Sequence, residues 1–164
     1  MRTESAELAQ RFEQTAAAAE AEIAAISDAA WAARCAAEGW PVGVAACHIA
    51  EGNRFIAGAI QRTAGISQID PLGGEDIHTI NARHAGEHAA VSKTDVLATF
   101  RENVAYLAGI IRVLTPEQLE RSRELAPGRP PMTVRQLIEH AANGHITNHL
   151  ESIRAAASVQ SSVA

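Results

Sequence analysis

The residues here best equipped for chemistry are histidines, and two of them, His145 and His149, stand four apart in the stretch Ile138-Glu-His140-Ala-Ala-Asn-Gly-His145-Ile-Thr-Asn-His149-Leu150. In a helix that spacing puts two imidazoles on one face, close enough to share an ion, which is why it recurs in zinc sites. Thr133 is placed to cap such a helix, and Val134, Leu137, Ile138 and Ala141 mark its buried stripe. At about 100° per residue the pair falls in the middle of that stripe, with Arg135, Gln136, Glu139, Asn143 and Thr147 on the other side. A buried imidazole needs a partner, because an unpaired buried polar group costs roughly 1–3 kcal/mol. A metal is one such partner, although the same pair also occurs on solvated faces. His140 lies roughly opposite His149 on a regular helix and cannot join the pair unless the helix is distorted.

A third histidine sits on a helix spanning about Pro41 to Thr63. Val44, Ala45, His48, Gly52, Phe55, Ile56 and Ala59 share one face there, with Cys47, Arg54 and Gln61 pointing elsewhere. Gly52 removes side-chain volume one turn from His48 and leaves room for an ion or ligand. Taken singly, His48 could simply hydrogen-bond a neighbouring helix. Three inward histidines on two helices would need three separate partners, whereas one ion serves them all. Three neutral nitrogen donors with a position left open are typical of catalytic zinc and also suit nickel. Glu51, three residues past His48, is placed to orient a ligand or act as a base, or else is a solvated charge.

A competing pair, His84 and His88, lies in the segment Glu75 to Ala90, with His78 and Asn81 nearby. That segment is short, contains Gly86 and mixes histidine with asparagine rather than showing a clean aliphatic stripe. It reads as a connecting helix that forms part of a pocket wall.

These groups must be positioned by helices. Hydrophobic residues make up 47% of the 164-residue chain but aromatics only 4%, and alanine is abundant while strand formers are few, so an all-α class is expected. Thr3 or Ser5 can cap a first helix with Leu8, Phe12, Ala16, Ala19, Ile23 and Ile26 inward, and Gly39-Trp40-Pro41 punctuates the boundary before the second. Gly65, Pro71, Gly73 and Gly74 break a long connection. Ser92 or Thr94 caps a third long helix to about Leu114, with Val96, Leu97, Phe100, Val104, Leu107, Ile111 and Leu114 inward. Thr115 and Pro116 open a short helix, and a turn-rich run from Ala126 to Pro131 leads into the last one. No strand signal is found. The expectation is a single domain over 1–164, frayed at 1–5 and 158–164, folded as a four-helix bundle whose second and third helices are joined by a long crossover with a short extra helix.

Net charge is −5 with no basic stripe or polybasic segment, which argues against nucleic acid and anionic membrane as partners. No apolar run approaches the roughly 18–20 residues of a membrane span, and the N-terminus lacks the order of a signal peptide, so a cytoplasmic location is expected. Cys35 and Cys47 form no CxxC motif and are expected to be reduced thiols.

Gly39-Trp40-Pro41-Val-Gly43-Val-Ala-Ala-Cys-His48-Ile-Ala resembles the second-helix signature of the DinB and YfiT-like superfamily, and Thr133-Val-Arg-Gln-Leu-Ile-Glu-His140 with His145-Ile-Thr-Asn-His149-Leu150 resembles its final helix. The resemblance covers about Ala6 to Ala157. It implies a four-helix bundle with a divalent metal held by one histidine of the second helix and two of the fourth, which fall on His48, His145 and His149. Several members are thiol-dependent metalloenzymes, including bacillithiol or mycothiol S-transferases and the mycothiol-dependent maleylpyruvate isomerase. Only a short tail follows the expected fourth helix in this sequence, so the additional C-terminal domain of that isomerase is not expected. The segment around His78, His84 and His88 is not part of the general pattern.

The expected function is therefore a divalent-metal-dependent enzyme, of S-transferase, isomerase or hydrolase type, in which a bound ion activates a low-molecular-weight thiol or water against a small electrophilic substrate. Its sites would be His48, His145 and His149 for the metal, with Glu51, Gly52, Asn81, His84 and His88 around the pocket, and its assembly a homodimer. The alternative is a non-catalytic helical bundle that binds a small molecule or metal.

Overall fold

Thr3 opens the first helix, its hydroxyl accepting from the Ala6 amide, and α1 runs Glu4–Ala25 with Glu4 and Glu7 near its positive end. Leu8, Phe12, Ala16, Ala19 and Ile23 are buried along it at helical spacing. In this computed structural model residues 3–161 are described, apart from the side chains of Ala141, Ala142, Gln160 and Ser161. The expected fraying at Met1, Arg2 and 162–164, and the place of Ala141 on the buried stripe, thus fall outside the described residues.

A short helix, α2 (Asp28–Trp31), leads to α3 (Val42–Thr63), for which Pro41 is the N-cap rather than the first helical residue. The crossover carries α4 (Ile77–Glu87), capped by Asp76, and Ser92 then caps α5 (Lys93–Arg112). A capping box of Thr115 and Gln118 starts α6 (Pro116–Glu120). A second box, Thr133 with Gln136, starts the final helical stretch, made of α7 (Val134–Gln136), a π-helical segment (Leu137–Gly144) and α8 (His145–Ser161). The architecture is all-α. α5 packs between α1 and α3, and the final stretch packs against both, giving four bundle helices with a long crossover, bearing one extra helix, between the second and third.

Three local expectations need correction. The first concerns α3, which is not buried along a single stripe: Val42 through Cys47, then Ile49 and Ala50, are all buried. α5 and α8 flank this half of the helix, and Trp31 closes over its start, donating from Nε1 to the Val91 carbonyl at 3.0 Å. A Cβ on Gly43 would lie 2.5 Å from that indole nitrogen, so only glycine permits the approach. Cys47 is accordingly inside rather than pointing away, and both thiols are free and buried.

The second is a small antiparallel ladder, β1 (Ser122–Arg123) with β2 (Met132–Thr133), where no strand was expected. Two residues are too few to show an alternating pattern.

The third is the last helix. The π segment, bonded i to i+5, turns the chain less per residue than an α-helix does. Ile146, Leu150 and Ile153 therefore continue the core stripe of Val134, Leu137 and Ile138, and all six are buried. His145 and His149 are half-buried and swing from the middle of that stripe toward α3.

Candidate metal centre

His48 is displayed by α3, and His145 and His149 lie one turn apart on α8. Each ring offers one nitrogen to a set whose members all lie within 4.8 Å of one another. Ring centroids are 4.9 Å apart for His48 and His145, and 4.8 Å for each of the other two pairs. The Nε2 atoms of His48 and His145 approach to 3.1 Å. Trp40 closes one side of the cluster, its ring edge-on to His48 at 5.2 Å.

Glycine makes the approach possible. A Cβ on Gly52 would sit 2.5 Å from Cε1 of His145, so the volume missing at that position is occupied by the His145 ring rather than by space beside His48.

The third ring is held from outside. Glu38, in the loop before α3, accepts from His149 Nδ1 at 2.8 Å through Oε1, and from the Ser152 hydroxyl at 2.5 Å through Oε2. Burial would raise the Glu38 carboxyl, but the bonds from Ser152 and His149 outweigh it and hold the group below the usual carboxylate range. With Nδ1 carrying the hydrogen, the Nε2 lone pair of His149 is left for a ligand.

The electrostatics suit a cation. Burial, followed by the neighbouring imidazoles, pushes His48 down to about 3, and burial with His149 alongside pushes His145 down to about 4. Both rings are neutral donors at pH 7, the state metal binding requires. His145 Nδ1 is also buried without a hydrogen-bond partner among the described residues. The donor set and the close Nε2 pair fit a divalent ion.

The cluster opens onto a cavity of about 620 Å³. Phe55, Ile56, Ile77 and Ile80 supply its apolar wall, and Glu51, Asn81, Arg83, His84, His140 and Asn148 its polar groups. Four expected pocket residues, Glu51, Gly52, Asn81 and His84, are thus on its lining. His88 stands behind Glu51 instead, with Nε2 at 3.2 Å from Oε1, while His84 places Nδ1 at 3.0 Å from Oε2. Glu51 is therefore tied to two imidazoles even though its side chain is 43% exposed. His78 is exposed. His140 lines the cavity, against the regular-helix expectation, because the π segment brings residues five apart into register.

Glu38 and Ser152 were not anticipated. Ser152 is one helical turn beyond His149 and was open to discovery by spacing. Glu38 sits in an alanine-rich loop with no periodicity to place it.

The family model for the DinB superfamily matches residues 11–153, a span that includes all three histidines. No curated protein and no solved structure matches the chain. With the match running over most of its length, the chain belongs to the DinB superfamily.

Proposed function

We propose that this protein is a divalent-metal-dependent enzyme, loaded with zinc or nickel through His48, His145 and His149, that joins a low-molecular-weight thiol or water to a small electrophilic substrate. The observation that carries this reading is a three-imidazole cluster that opens on one side into a cavity with both apolar walls and converging polar groups. A divalent ion bound there supplies a lowered pKa for a coordinated thiol or water, and hence a nucleophile at neutral pH.

The protein's own groups do the rest. Glu38 fixes the tautomer and direction of His149. Phe55, Ile56, Ile77 and Ile80 line the cavity with apolar surface and favour an apolar substrate body. Glu51, aligned by His84, contributes negative charge to the cavity wall. Neither cysteine is the nucleophile: burial and then Glu51 push Cys47 up to about 12, and Cys35 is raised by burial too.

The test is elemental analysis joined to turnover of a chromogenic electrophile with a small thiol. His48→Ala and His145→Ala should each lose one equivalent of metal together with the metal-dependent rate. Full metal retention in both variants, or a rate indifferent to metal, overturns the reading.

A further inference from the structure

α4 forms one wall of the cavity, yet among its side chains only His84 is buried. What fastens it to α3 is polar. Cys47 and Glu51 are four residues apart on α3, His84 lies on α4 with His88 four residues on as its C-cap, and both histidines face Glu51. The Glu51 carboxylate is shared, Oε2 lying 3.0 Å from His84 Nδ1 and Oε1 3.2 Å from His88 Nε2.

Hydrogen bonds alone account for the carboxylate and the imidazoles, but leave out the thiol. Cys47 contributes a sulfur to a group in which it, a Glu51 oxygen and a His88 nitrogen all lie within 4.8 Å of one another. Donors around a tetrahedral zinc ion are roughly 3.3–3.8 Å apart, given bond lengths of about 2.0–2.3 Å. Glu51 and His88, both partly exposed, are the members with room to turn toward the sulfur. Sulfur, nitrogen and oxygen together select a borderline divalent ion of the zinc class over magnesium or calcium.

We propose that Cys47, Glu51 and His88 form a second divalent-cation site, separate from the three-histidine cluster, which pins the cavity wall α4 to α3. Binding places Cys47 Sγ, Glu51 Oε1 and His88 Nε2 on the ion, displaces the thiol proton to solvent, and leaves a position for water. His84 keeps its bond to Glu51 Oε2 and acts as a positioning residue for the carboxylate. Its ring also packs edge-on to His48 at 5.3 Å, so the two sites are neighbours.

Cobalt(II) titration of the chelator-stripped full chain tests this, because only a sulfur-containing site gives thiolate-to-cobalt charge-transfer absorption. The parent should bind two equivalents, one of them accompanied by that band. His145→Ala should lose an equivalent and keep the band, which makes the result independent of the three-histidine reading. Cys47→Ala and His88→Ala should each lose one equivalent and the band. His88 is partly exposed, so its removal leaves the core intact if Cys47→Ala does not fold. Amide exchange across 77–87 should slow in parent protein loaded with zinc and not in His88→Ala. A parent without the band, or a band that survives in His88→Ala, overturns the proposal.

Discussion

Glu38 and His149 are 111 residues apart in sequence, and their side chains meet at 2.8 Å. The carboxylate accepts from Nδ1 and so determines which nitrogen of His149 faces the cluster, while Ser152 anchors its other oxygen. Loss of such an outer partner usually weakens metal binding by about 10–100-fold. Glu38→Ala should fall in that range in a competition titration against a chromophoric chelator. Ser152→Ala should have a smaller effect, since Glu38 keeps its bond to His149.

Gly52→Ala should separate metal binding from stability. The new Cβ would stand 2.5 Å from Cε1 of His145, so the ring must leave its place. Overfilling costs about 1–3 kcal/mol, and replacing a helical glycine with alanine returns roughly 1 kcal/mol, so the fold should lose at most about 2 kcal/mol and remain folded. Elemental analysis should show one equivalent of metal lost, with a cooperative transition whose midpoint is lowered by no more than that.

The sequence disclosed the bundle because its helices are amphipathic and punctuated. Leu8, Phe12, Ala16, Ala19 and Ile23 recur at the helical period, and Ser92, Thr115 and Thr133 cap where their hydroxyls announce helix starts. The three histidines were visible on the same basis. What stayed hidden depends on long-range contact or on irregular backbone. Glu38 gains its role only when its loop folds against α8, and the π segment has no residue signature among Leu137 to Gly144 that distinguishes it from an α-helix. His140, opposite the pair on a regular helix, lines the cavity because the helix is distorted, and His145 and His149 stand at the edge of the buried stripe rather than in its middle.

Acid should destabilise the metal-free protein through these rings. His48 and His145 titrate near 6.5 when unfolded but are pushed down to about 3 and about 4 in the fold, chiefly by burial. Below about pH 6.5 the unfolded chain takes up protons that the folded one refuses, so their contribution is complete above that pH and is lost as pH falls toward 4 and then 3. Urea unfolding of stripped protein at pH 7 and pH 5 should show the loss. His48→Gln should flatten the dependence, and an unchanged slope would exclude His48 as a source.

The π segment makes the strongest demand on backbone geometry. It lets Ile146, Leu150 and Ile153 take over the core stripe while His145 and His149 face His48, and it turns His140 into the cavity. Deleting one residue within 137–144 removes the extra residue that the wider turn accommodates, so a regular α-helix, advancing about 100° per residue, brings the helix beyond the deletion back into the same register. Ile146, Leu150 and Ile153 then stay buried, and His145 and His149 still face His48. Deleting two residues instead rotates that helix by about 100°, so that either the histidines leave His48 or the apolar groups are exposed, at about 1.5–3 kcal/mol for each such side chain. Deletion of Asn143 alone should accordingly retain metal at the three-histidine cluster, whereas deletion of Asn143 and Gly144 together should abolish it and lower the melting temperature. A single-deletion variant that loses the metal, or a double-deletion variant that keeps it, would show that the π geometry does not set the position of His145 and His149.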